Sequence, residues 1–131
     1  MSAAVTATQA VAVAVGAGLG ALARWMTGLA LNPRWGGFPL GTLLVNCLGG
    51  ALIGVAMVWF QRSPHEVQRL FLVTGVLGGF TTFSAFSAES LGLIQRGDWG
   101  LALLHSGAHL LGALACTALG YHVARAVLRV A

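Results

Sequence analysis

The sequence has no lysine and only three acidic residues, Glu66, Glu89 and Asp98. Charged residues make up 8% of it, against roughly 25% in a soluble domain. With 57% of its residues hydrophobic, a soluble chain could not hide its apolar surface, so the reading is an integral membrane protein. The shortage of acids excludes more. A small proton-coupled cation exporter needs a carboxylate embedded in its first span, and none stands there; Glu89, near the end of the third span, is the only acid in any span beyond its capping turn. An enzyme lacks a supported Ser/His/Asp set or carboxylate pair, and no loop is long enough to hold a substrate. Without lysine, the pI near 10.6 rests on arginines scattered singly between apolar stretches. That pattern forms no basic patch and argues against nucleic acid as a partner. The N-terminus has no basic n-region, and its apolar run continues past any cleavage point, so it is expected to be a first span and not a removed signal peptide. Only two cysteines occur, Cys47 and Cys116, both within expected spans, where small polarizable packing is their expected role.

What is present is four apolar segments of about 20 residues or more, enough for four membrane crossings. The expected spans are 10–31, 40–60, 65–94 and 99–127, in a single membrane domain covering 1–131. Asn32-Pro33 stops the first. Ser63, Pro64 and Glu66 fit a capping box opening the third, and Asp98 fits the N-cap of the fourth. The short loops make consecutive spans antiparallel neighbours. Trp25, Trp35, Trp59 and Trp99 fall near span ends, as interfacial aromatics do. Nineteen glycines suit close helix packing. Gly16/Gly20 and Gly50/Gly54 each make a G-x-x-x-G pair, serving either packing within the chain or a subunit interface.

The stretch Gly78-Gly79-Phe80-Thr81-Thr82-Phe83-Ser84-Ala85-Phe86-Ser87 interrupts the third segment. That segment is longer than a straight span requires, and a helix broken near the glycine pair, within Gly78–Thr82, absorbs the excess. Broken membrane helices survive where the freed backbone is buried in protein or lines a polar cavity, and unwound carbonyls can hold a cation. Phe83 and Phe86 share a helix face, and their positive ring edges favour an anion. Thr82 and Ser84 offer hydroxyl donors. Alternatively the rings are core and the hydroxyls bond back to their own helix. Asn46, an amide in the charge-free second span, reads first as a bridge between helices and second as a pathway group. His105 and His109 stand one helical turn apart, but two ligands fall short of the three or four of a zinc site, so pore lining or hydrogen bonding between helices is their expected use.

Gly78 to Ser87 followed by Ala88-Glu89 looks like the signature of the Fluc (CrcB) fluoride-channel family. Gly41-Thr42-Leu43-Leu44-Val45-Asn46 with Gly49-Gly50, and Gly20-Ala21-Leu22-Ala23-Arg24-Trp25, are similar to its other two motifs, in the same order. The resemblance implies an all-α, four-span, dual-topology homodimer in the bacterial inner membrane, two antiparallel subunits enclosing two fluoride pores. It implies that cytoplasmic fluoride leaves through them down its electrochemical gradient, protecting the cell. Matching positions make Asn46, Phe83 and Phe86 pore groups, with Thr82, Ser84 and His109 beside them and Arg24 at a vestibule. The carbonyls of Gly78 and Thr81 from both subunits would hold a structural Na⁺. The chain departs from the family pattern at Ala85, His105, His109 and Ala113. The rival readings are a four-span dual-topology cation/proton exporter and a non-conducting structural membrane protein.

Charge counting bears on topology. The side holding both termini carries Arg62, Arg69, Arg125 and Arg129, and the other carries Arg34 and Arg96, plus Arg24 if its head reaches that surface. Four against three is too small a bias to dictate one insertion.

Overall fold

Thr6 opens the first helix, α1 (Ala7–Leu31), with a capping box. Its hydroxyl accepts from the Gln9 N–H at 3.2 Å, and the Gln9 side-chain oxygen accepts from the Thr6 N–H at 2.8 Å. The computed structural model describes residues 5–32 and 37–128. Pro33, Arg34, Trp35 and Arg129, which enter the sequence reading, lie outside the described residues. α1 ends at Asn32, whose side-chain oxygen then accepts from the N–H groups of Gly41 (2.7 Å) and Thr42 (3.3 Å). It thereby satisfies the first orphan donors of α2 (Leu40–Arg62), whose own N-cap, Pro39, supplies no side-chain hydrogen bond.

The third span is composite. It runs through α3 (Glu66–Arg69), a π-helical stretch Leu70–Leu77, α4 (Gly78–Phe80), a break at Thr81 and Thr82, and α5 (Phe83–Gln95). The capping box expected at Ser63 is not formed: the Ser63 N–H donates to the Trp59 carbonyl and ends α2, while His65 takes the N-cap position of α3. Glu66 instead accepts from the Gln9 side-chain amide at 2.9 Å, tying the start of this span to the start of α1. α5 closes in a Schellman motif, with Gly97 N–H on the Ile94 carbonyl and Asp98 N–H on the Leu93 carbonyl. Gly97 sits at φ +82°, where a Cβ would be strained. Asp98 precedes α6 (Trp99–Leu128), and its carbonyl accepts from Ala102 N–H.

The four spans are each long and apolar enough to cross a membrane. They pack chiefly as two parallel pairs, α1 against the first half of the third span and α2 against α6. Glycine pairs make each approach close. A Cβ on Gly16 or Gly20 would meet backbone atoms of Phe71, Gly75 and Val76, and one on Gly50 or Gly54 would meet those of Ala113, Thr117 and Tyr121. Both G-x-x-x-G pairs thus serve packing within the chain. Arg62 donates to the Leu128 carbonyl at 2.7 Å, so the ends of α2 and α6 meet on the side where α1 and α3 begin. Trp25, Trp59 and Trp99 are exposed near span ends. Cys47 and Cys116 are unbridged and half-buried.

Candidate functional site

The break is placed by hydrogen bonds, not by glycine flexibility. Gly78 is helical at φ −63°, ψ −38°, whereas Thr81 (−84°, 158°) and Thr82 (−153°, 120°) are extended. The break thus falls within the expected Gly78–Thr82, at its last two residues, while the glycine pair stays helical. Gly79 stays helical because its missing side chain admits the Ala17 backbone of α1, which a Cβ would overlap. Asn46, reaching from α2, replaces the lost helical partners of Thr82. Its oxygen accepts from Thr82 N–H at 2.8 Å, and its amide donates to the Thr82 carbonyl at 2.9 Å.

Each diverted donor frees a carbonyl. In an unbroken helix the Thr82 N–H would go to Gly78 and the Ala85 N–H to Thr81. Here the first goes to Asn46, and the second to the Thr82 hydroxyl at 3.1 Å, which caps α5. The Gly79 carbonyl is taken by the Arg24 guanidinium through Nε at 3.0 Å. Arg24 is thus anchored to the break. Of the neighbouring hydroxyls, Thr81 and Ser87 bond back to their own segments, to the Leu77 and Phe83 carbonyls. Ser84 lies 3.2 Å from the Thr82 hydroxyl.

An open cleft of about 650 Å³ runs past the break. Asn46, Gly78, Thr81, Thr82, Phe83, Phe86 and His109 line it, together with Gly49, Gly50 and Ser106. Ser84 and Arg24 are not among its lining residues. Phe83 is 78% exposed, and its ring lies 5.2 Å from that of Phe86, tilted by 54°. Phe86 in turn packs on His105 (5.4 Å, nearly parallel) and His109 (4.7 Å).

The sequence reading did not assemble a polar cluster behind Phe86. One oxygen of Glu89 accepts from the Thr42 hydroxyl at 2.6 Å, and the other lies 3.3 Å from His105 Nε2. His105 Nδ1 is 2.9 Å from the Ser90 hydroxyl, and His109 Nδ1 donates to the His105 carbonyl at 3.0 Å. His105 is wholly buried, in company with Val45, Val58 and Leu93. The signal that could have found the cluster was Glu89, the one acid in a span beyond its first turn, which had to meet a partner somewhere in the bundle.

A family model described as CrcB-like protein, Camphor Resistance (CrcB), matches residues 11–121. The chain is 48% identical over 123 residues to a fluoride-specific ion channel FluC of Aromatoleum aromaticum, covering 92% of this chain and 94% of that protein. It is 52% identical over 118 residues to the FluC of Bordetella petrii, covering 88% and 91%. To that of Thiobacillus denitrificans it is 46% identical over 117 residues, covering 88% and 94%. A match running from the first span into the last, with half the residues identical over nearly the full length of these relatives, leaves one assignment: the chain belongs to the CrcB-like protein family.

Proposed function

We propose that this chain is a subunit of a fluoride-selective channel of the bacterial inner membrane, through which cytoplasmic fluoride leaves down its electrochemical gradient. It is a conduit and not an enzyme. The observation that carries the reading is the break at Thr81–Thr82, clamped by Asn46 and opening on the same cleft as Phe83 and Phe86. Fluoride is small and strongly hydrated, so a path must replace part of its water. Phenyl edges and hydroxyl donors do so without a fixed charge that would trap the ion.

The active unit in this reading is an antiparallel dual-topology homodimer with two pores. One chain of four spans leaves the cleft open and Phe83 exposed, and a second copy laid against this face would close it. The carbonyls of Gly78 and Thr81, doubled by the partner, would hold a Na⁺ at the centre. Both have lost their helical donors, and neutral carbonyl oxygens suit a hard monovalent cation. That ion would supply fixed positive charge and join the subunits.

The test is efflux from liposomes loaded with fluoride and containing the purified protein, with chloride as control. Fluoride release far above chloride release is expected. No fluoride-specific flux would end the proposal.

A further inference from the structure

Three buried polar atoms converge behind Phe86 and have no hydrogen-bond partner among the described residues: Oε2 of Glu89, Nε2 of His105 and Nε2 of His109. Ligating atoms drawn one from each of these residues lie within 4.8 Å of one another. His105 and His109 are 0% and 4% exposed. Buried polar atoms are nearly always paired, so three unpaired ones on residues clustered this closely share a demand that a cation meets.

The atoms facing away from this point are each held. Glu89 Oε1 accepts from the Thr42 hydroxyl, His105 Nδ1 meets the Ser90 hydroxyl, and His109 Nδ1 meets the His105 carbonyl. A carbonyl only accepts, so His109 carries its proton on Nδ1 and, when neutral, presents a bare Nε2 lone pair. Metal-ligating histidines are oriented in this way, by a hydrogen bond from the other ring nitrogen. The spacing fits as well. His105 Nε2 and Glu89 Oε2 are 3.3 Å apart, close to the edge of a tetrahedron whose metal–ligand bonds are roughly 2.0–2.1 Å. A ring nitrogen of His109 lies within 4.8 Å of the other ligating atoms.

We propose that Glu89, His105 and His109 form a binding site for a divalent transition cation of the zinc class. Two imidazoles and one carboxylate suit a borderline-soft ion. Hard cations prefer all-oxygen shells, and cuprous ion prefers sulfur. Three protein ligands leave a fourth position for water or a small anion. Glu89 stands on α5 and the histidines one turn apart on α6, so the bound ion would clamp the end of the third span to the fourth. His109 also lines the cleft, so an occupied site would narrow it.

The experiment uses the full-length protein in detergent, stripped with EDTA and titrated with Zn²⁺ against a chromophoric chelator, with Mg²⁺ as control. One zinc per chain is expected and no Mg²⁺. Ser90→Ala, which removes the hydroxyl that meets His105 Nδ1 and the Ser106 hydroxyl but no ligand, should weaken binding about tenfold or more. His109→Gln and Glu89→Gln should weaken it further, while His65→Gln, His122→Gln and the double change Cys47→Ser/Cys116→Ser should leave it unchanged. Co²⁺ in the parent protein should give the intense visible absorption of a four-coordinate site, a readout that does not depend on whether a variant folds. Absence of stoichiometric zinc, binding that survives both ligand changes, or a thiolate charge-transfer band would overturn the site. A second arm rests on the channel reading: Zn²⁺ should slow fluoride efflux in the parent, reversibly with EDTA, and not in His109→Gln. Because binding is measured without flux, failure of the channel reading would leave the binding result standing.

Discussion

Asn46 shows how one side chain can carry two roles. Its amide gives Thr82 back the donor and acceptor lost at the break, and it also lines the cleft. Asn46→Ala leaves both backbone groups short of a partner and should cost about 1–3 kcal/mol, read as a lower melting temperature of the detergent-solubilised protein. Asn46→Asp keeps an acceptor for the Thr82 N–H but turns a negative oxygen on the Thr82 carbonyl and on any passing anion. It should abolish fluoride efflux. Phe83 and Phe86 differ in what they touch. Phe83→Ile should lower fluoride flux strongly without altering the fold of the subunit, since the ring is 78% exposed. Phe86→Ile should lower both flux and melting temperature, because this ring packs on His105 and His109. Parent-like conduction in both variants would mean the rings serve packing alone. Arg24→Ala removes the donor held by the Gly79 carbonyl, so a folded protein with part of its flux is expected. Complete loss with normal assembly would put the guanidinium in the conduction path.

At the scale of the helix, the glycines set the distance between spans. A Cβ at Gly20 would overlap the Val76 carbonyl, and one at Gly79 the Ala17 carbonyl, backbone atoms that cannot swing aside. Gly20→Ala and Gly79→Ala should therefore each destabilise the subunit by about 1–3 kcal/mol, the usual cost of overpacking. Gly18→Ala and Gly107→Ala, with nothing within 4 Å of the added carbon, should be neutral or mildly stabilising. Thermal unfolding of the four variants separates the groups. Equal melting temperatures would show that helix separation is set elsewhere. The same contacts explain why the break falls two residues after the glycine pair. Gly79 is packed against the Ala17 backbone of α1, and the backbone leaves the helix only where Asn46 can receive Thr82.

For the whole molecule, the contacts of Gln9 with Glu66 and of Arg62 with Leu128 put the first turns of α1 and α3 on one side with the last turns of α2 and α6. The arginine count is then four on that side against Arg34 and Arg96 on the other, because the Arg24 guanidinium is held by the Gly79 carbonyl at the break, with Arg129 and Arg34 counted from sequence. A C-terminal reporter should appear on both faces of the inner membrane in comparable amounts. Two or three lysines added to one side should drive it to a single face and lower activity, and an oppositely biased copy should restore it. A reporter on one face only would exclude the antiparallel arrangement. The proposed Na⁺ predicts a dimer that loosens when Na⁺ is withdrawn, with no Na⁺ carried during fluoride flux; transport that builds a Na⁺ gradient would contradict it.

Sequence alone determined the class, the number of spans, the interrupted third segment and the family. These follow from local quantities. Hydrocarbon about 30 Å thick demands about 20 apolar residues per crossing, and a run such as Gly78 to Ser87 stands out against that demand. Tertiary structure decided the rest, because the deciding partners are far apart in the chain. Asn46 and Thr82 are 36 positions apart, Arg24 and Gly79 are 55, and Thr42 and Glu89 are 47. Two histidines one turn apart read as too few for a metal until the bundle set Glu89 beside them. Glycine carries the same ambiguity: its lack of a side chain permits both unwinding and close approach, and only the Ala17 backbone lying against Gly79 selects the second.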